Sequence, residues 1–392
     1  MLYNHFYGQF DCCDTMPKIT VAVSDSPEVG SRSAPSVKKS FSSVKCNVVD
    51  ADFRIMMRDI PKEVFEEAYK TTEGRKKLFL HAKYMATKIL DKVDCLALSG
   101  NVAMIDPALF NQLPDTNNNF TYDLSRTIAE LALIHVATQR GMPIMGICGG
   151  HEAIAVYYEG TLRSLTPAES NQQGYMAYDK IIFNTESILG QLFNSHEKNL
   201  PSNSPTVTRN FFGAHKQIVD KLKPSYLKIT ARASDGKLIE AVEGKYGAPL
   251  IGMQFHPEIT IHGVFPNASN MGTEAEKKVS LKIFHFFFKA AEAYNNKKRV
   301  NSELKKVTSV FSEVTHNVEK DLVSVKNTIK EKNKNAIKKS KLSSIKVESI
   351  DQNNTPTKTL LNNPAIFWKG KKRPHSELEN AQCNQVVLAN TM

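Results

Sequence analysis

Pro143-Ile-Met-Gly-Ile-Cys-Gly-Gly-His-Glu152 sets an apolar run directly before a cysteine flanked by glycines. The run Pro143–Ile147 reads as a buried strand and His151 to Tyr158 as a helix, which puts Cys148 at the turn between them. A nucleophile on such a sharp, strained turn needs small neighbours, and Gly146, Gly149 and Gly150 supply them. The helix that follows offers free N–H groups, which lower a thiol's pKa and hold an oxyanion. A lone cysteine is more often a small core residue than a nucleophile. The G-x-C-x-G spacing at a strand end is therefore what carries the reading.

Strand and helix signals alternate on both sides of this segment. Lys18–Ser24 reads as a first strand, and the Ser-rich stretch from Asp25 to about Lys45, with Pro27, Gly30 and Pro35, as a long loop. Residues 62–92 read as a helix with Pro61 near its start. Asp94–Leu98 is a short buried strand ending at Ser99-Gly100. Tyr122 to Gln139 places Leu124, Ile128, Leu131, Leu133, Ile134 and Val136 at helical spacing, and Gly141 stops it. Further strands are expected at Lys180–Phe183, Tyr226–Ala231, Leu238–Glu243 and Leu250–Phe255, with a closing helix from Thr273 to Tyr294. The alternation predicts an α/β fold with a mostly parallel central sheet flanked by helices.

The second chemical segment is Leu250-Ile-Gly-Met-Gln-Phe-His-Pro-Glu258. A strand ends at Phe255, and Pro257 restricts the turn that aims the two flanking side chains. His256 is placed to take a thiol proton and Glu258 to orient its imidazole. Alone, this segment is as consistent with a polar loop as with a site. The two segments together describe a Cys-His-Glu triad.

The chain has 392 residues and a formal net charge of +11. Residues 291–392 hold 19 Lys/Arg against 10 Asp/Glu, so nearly all of the surplus belongs to the C-terminal part. It says little about a site built around Cys148. Four regions are expected: a leader over 1–16, a hydrolase domain over 17–295, an amphipathic helix over 296–330 and a basic low-complexity tail over 331–392. Leu304, Val307, Phe311, Val314, Val318, Leu322, Val325 and Ile329 form the apolar stripe of that helix, a candidate surface for a homo-oligomer or another partner. Ile366-Phe367-Trp368 reads as a docking segment, and Lys369–Pro374 as a charge run that, being sparse in aromatics, is more often simply solvated than a nucleic-acid or membrane-surface patch. The six cysteines are scattered without CxxC spacing, which fits reduced thiols and a cytoplasmic location. No stretch of about 20 apolar residues is present to span a membrane. His135, His151, His196 and His262 lack ligand spacing, so neither a metal nor a cofactor is expected.

The paired segments resemble class I glutamine amidotransferases, closest to gamma-glutamyl hydrolases of the gamma-glutamyl-gamma-aminobutyrate hydrolase type. Residues 90–292 carry the likeness and 17–90 share little of it. Leu96 to Phe110 resembles the family's strand, glycine turn and D-P-x-L-aromatic segment. Gly160-Thr-Leu162, His215-Lys-Gln217 with Asp220 and Leu222, and Ala233–Glu243 match further family segments. The resemblance implies a flavodoxin-like fold and an oxyanion hole from the N–H of Gly100 or Asn101 with that of Gly149. It also implies substrate contacts at Glu152, His215 and Gln217, and a small γ-glutamyl substrate cleaved through a thioester on Cys148. Asn101 and Lys216 depart from the family pattern. Glu152 stands where glutamine-using synthetases carry Gln, which tilts the expectation towards a hydrolase. The alternatives are a glutaminase feeding ammonia to a separate synthetase and a non-catalytic binding module.

Overall fold

The computed structural model describes residues 18–25, 33–113, 115, 120–172, 175–194, 204–263 and 272–337. The leader, His196, most of the expected tail, and the segments at Ile366–Trp368 and Lys369–Pro374 lie outside the described residues. Contacts divide the chain into a unit reaching Asn295 and a second beginning at Asn296.

In the first unit the strands are β1 (Thr20–Asp25), β2 (Asn47–Asp52), β3 (Cys95–Leu98), β4 (Ile144–Ile147), β5 (Thr161–Ser164), β6 (Tyr175–Asn184), β7 (Thr206–Ala214), β8 (Gln217–Lys221), β9 (Leu227–Ala233), β10 (Ile239–Gly244) and β11 (Leu250–Met253). The helices are α1 (Ser33–Ser43), α2 (Phe53–Met57), α3 (Lys62–Lys70), α4 (Thr72–Leu90), α5 (Leu124–Arg140), α6 (Gly149–Tyr157), α7 (Pro167–Gln172), α8 (Ile188–Asn194), α9 (Pro257–His262) and α10 (Glu274–Ile337), the last running past Asn295.

Among the described residues, nine strands form one sheet in the order β2-β1-β3-β4-β11-β10-β9-β6-β7, and β5 pairs with β8 apart from it. The strands from β2 to β11 are parallel. Those from β10 to β7 run antiparallel, because tight connections such as the Ala233–Leu238 turn return the chain beside itself. The inner parallel strands β1, β3, β4 and β11 are buried on both faces, as their apolar character requires, and the edge strand β2 is half exposed. Leu96 and Leu98 face a core built with α2 to α6. Cys95 and Ala97 face a second core with α1, α8 and the Phe284–Ala291 stretch of α10. That is the two-residue alternation of a strand covered on both sides. Phe284 meets Phe41 edge to face at 5.1 Å.

α5 ends as expected at Gly141, left-handed at φ 63° and closing the helix with its N–H. Three expectations are corrected. The Ser-rich stretch is not a long loop, since α1 occupies 33–43 and buries Ala34, Val37 and Phe41 on one face. Residues 62–92 form two helices, because Thr71 turns extended and its hydroxyl accepts the Gly74 N–H to start α4. Strands β2, β5, β7 and β8 were not expected, because they lack the apolar runs that marked the others.

In the second unit, α10 exposes Leu304, Val307, Val314, Val318, Leu322, Val325 and Ile329. No helix among the described residues is long and apolar enough to cross a membrane.

Candidate active site

The site gathers at the C-terminal ends of the parallel strands, where α/β folds open a crevice. β4 delivers Cys148, whose N–H donates to Met253 O of the neighbouring β11 at 2.7 Å. Cys148 itself sits at φ 49°, ψ −107°, a strained conformation for a residue with a side chain, and α6 begins at the next residue. β3 ends at Leu98 and runs into Gly100. A β-carbon on Gly100 would lie 2.7 Å from His256 Cε1 and 3.3 Å from Cys148 Cβ, so only glycine fits beside both.

β11 leads to Gln254 and His256. His256 Nδ1 donates to Glu258 Oε1 at 2.7 Å, and both residues are buried. Its Nε2 is buried without a well-formed hydrogen bond. The ring is electrically coupled to Cys148. Burial pulls the imidazole pKa down, but the Glu258 charge and then the Cys148 thiolate outweigh burial and leave it raised. Burial pushes the Cys148 thiol up, and the His256 charge pulls it part of the way back. A buried thiol beside a supported imidazole is equipped to pass its proton to the ring and act as a nucleophile.

Glu152 lies one helical turn after Cys148. Its Oε1 accepts from Gln254 Nε2 at 3.0 Å, and the same Nε2 lies 3.9 Å from Cys148 Sγ. Burial raises the Glu152 carboxyl to about 8, against the pull of Gln254 and Arg126. Burial thus favours the protonated form of this side chain at neutral pH.

The Gly100 N–H donates to Ser33 Oγ at 3.1 Å. Gly149 packs against the Asn101 side chain. His215 is buried, with both ring nitrogens short of a well-formed hydrogen bond. Burial, then the charges of His256 and His151, lower its pKa to about 3, so it stays neutral. Gln217 Oε1 accepts the Ile105 N–H at 3.3 Å, tying β8 to the loop after β3. His151 is buried within α6, His135 Nδ1 sits 3.1 Å from the Tyr157 hydroxyl, and His262 Nε2 sits 3.1 Å from Ser40 Oγ. Sequence reasoning missed Ser33 and Gln254. Gln254 was in view inside the second chemical segment. Ser33 had only a faint signal, a serine and Pro35 ahead of Val37 and Phe41 at helical spacing.

Residues 65–258 match the model of the Peptidase C26 family. A putative glutamine amidotransferase-like protein of Rickettsia prowazekii (strain Madrid E) is 32% identical over 117 residues, which cover 28% of this chain and 70% of that protein. The chain belongs to the class I glutamine amidotransferase-like superfamily. A second amidotransferase-like protein of the same organism is 53% identical over 74 residues, 19% of this chain and 45% of that protein. A putative ankyrin repeat protein of Rickettsia bellii (strain RML369-C) is 29% identical over 309 residues, 76% of this chain and 45% of that protein. The chain thus spans less than half the length of these last two relatives. The Peptidase C26 match takes in Cys148 and ends on Glu258.

Proposed function

We propose that this chain is a cysteine hydrolase that cleaves a γ-glutamyl amide through a thioester on Cys148. The observation that supports it is the placing of Cys148, at φ 49° on the strand-to-helix turn, in charge contact with a His256 that Glu258 holds at 2.7 Å. His256 takes the thiol proton. The sulfur then bonds to the γ-carbonyl carbon, and the oxyanion rests on the amides of Asn101 and Gly149, since the Gly100 N–H is given to Ser33. The carbon–nitrogen bond breaks as the imidazolium protonates the leaving amine. His256 next takes a proton from water, which attacks the thioester and returns the sulfur to Cys148.

Glu152, His215 and Gln217 are the proposed substrate neighbours. Glu152 favours a hydrolase over a glutaminase serving a synthetase, because a neutral acid there offers a proton donor in place of an amide. The exposed stripe from Leu304 to Ile329 is proposed as a self-association surface. A cytoplasmic setting suits a site that needs a reduced thiol.

A γ-glutamyl chloroketone should label Cys148 of the wild-type protein, and γ-glutamyl compounds should be hydrolysed. A Cys148→Ser variant as active as wild type on those compounds would sink this reading.

A further inference from the structure

Ser33 opens α1, 225 residues from Glu258 and 67 from Gly100 in sequence, yet it touches both. Its hydroxyl donates to Glu258 Oε1 at 2.5 Å and accepts the Gly100 N–H at 3.1 Å. The residue is buried at 5% exposure, so no bulk water stands ready to replace that hydroxyl. Glu258 Oε1 is the same oxygen that accepts from His256 Nδ1. The other oxygen, Oε2, is buried without a hydrogen-bond partner. Two donors therefore converge on one oxygen, and one of the two is Ser33.

This geometry has two effects. The terminal torsion of a glutamate is broad and has no strong rotamer preference of its own. With Ser33 in place the carboxylate is held from two directions, and the His256 ring inherits that orientation. On the other side, the Gly100 peptide is turned towards Ser33, which sets the course of the backbone into Asn101.

We propose that Ser33 is a positioning residue of the thiol site, fixing through one hydroxyl both the carboxylate that orients His256 and the turn that leads to the Asn101 amide. The inference rests on the reading of Cys148 as the nucleophile. A serine that only filled its place at the start of α1 would affect folding and leave the thiol chemistry alone.

The test uses the full chain and two probes: L-γ-glutamyl-p-nitroanilide for turnover, and iodoacetamide for Cys148 reactivity against pH. Ser33→Ala should lower kcat roughly 10- to 100-fold, the worth of a hydrogen bond to a charged group. KM should stay within about twofold, the mark of an interaction that acts on chemistry more than on binding. The alkylation midpoint of Cys148 should move to higher pH, because a less well supported imidazolium stabilises the thiolate less. Ser33→Thr and Ser33→Val share one shape and differ by the hydroxyl, so Thr should keep most of the activity and Val should lose it. The Thr and Val pair also decides the matter if Ser33→Ala does not fold.

Equal kcat and equal alkylation profiles in Ser33→Val and Ser33→Thr overturn the proposal, as does a Ser33→Ala effect confined to melting temperature. A different result overturns the parent reading instead: a wild-type protein that leaves the anilide intact and alkylates at Cys148 no faster than His256→Ala.

Discussion

The Asn101 side chain lies directly against Gly149: a β-carbon there would be 2.2 Å from Asn101 Nδ2 and 2.7 Å from its Cγ. Gly149→Ala should push Asn101 aside and disturb both proposed oxyanion amides. Turnover of γ-glutamyl-p-nitroanilide should fall about 100-fold, the scale of losing one such donor. Asn101→Gly removes the obstruction, so the double variant should recover most of the loss, with a coupling of about 1 kcal/mol or more. Strict additivity in that cycle would show that the contact does not matter.

Glu152 carries a second prediction. Its carboxyl is neutral below about 8, burial being the main cause. Above that pH a carboxylate appears beside Cys148, and its charge raises the thiol's pKa. Turnover should decline on the alkaline side as Glu152 ionises. Glu152→Gln stays neutral and should lose that decline while remaining active. An alkaline limb that is the same in wild type and Glu152→Gln would rule out Glu152 as its source.

Glu240 links pH to stability. Burial, with Asp179 and Asp235 adding their charge, raises its carboxyl to about 8. Such a group binds its proton more tightly in the folded chain than in the unfolded one. The folded state then loses stability as pH climbs from the ordinary carboxylate range to about 8, and below that range the group makes no difference. Melting temperature should fall between about pH 5 and about pH 8, and Glu240→Gln should flatten the fall. Parallel melting curves for the two proteins across that window would contradict the assignment.

The packing of α10 on α1 can be tested through Phe284, which is fully buried against Phe41. Phe284→Ala should cost about 3–5 kcal/mol in chemical denaturation, as deletion of a core phenylalanine does. A cost under about 1 kcal/mol would mean that this face is not packed.

On the second unit, Val314 and Val318 are both exposed in the apolar stripe. If the stripe pairs copies of the chain, Val314→Asp with Val318→Asp should lower the mass measured by light scattering and leave anilide turnover intact. An unchanged mass would remove self-association as the stripe's role.

Legibility in the sequence followed distance along the chain. Cys148, His256 and Glu258 each stand within a few residues of a short apolar strand, so local pattern alone placed them at strand ends. The inner parallel strands β1, β3, β4 and β11 were legible for the same reason, and the edge strand β2 was not. Ser33 was not, because its value lies in contacts 67 and 225 residues away, and no local pattern reports those. α1 was hidden by serines whose polarity masked the few buried positions. β7, exposed at Thr206 and Asn210 and half-buried at others, gave no continuous apolar run. Gln217 was legible as a candidate, and its hold on the Ile105 backbone, 112 residues away, was not.

β11, the last strand in chain order among the described residues, lies inside the sheet between β4 and β10. This has a consequence for biosynthesis. A nascent chain that has emerged only as far as β10 already carries Cys148, but β4 still has an open edge and the imidazole is missing. Under the proposed triad, the thiol acquires its base only when residues 250–258 reach the sheet, and the same event closes the gap between the parallel and antiparallel halves. On the proposed reading of Cys148, reactivity would be withheld until the sheet is continuous, which would spare the ribosome-bound chain a premature nucleophile. The price is a temporarily unpaired edge, the kind of surface that invites aggregation.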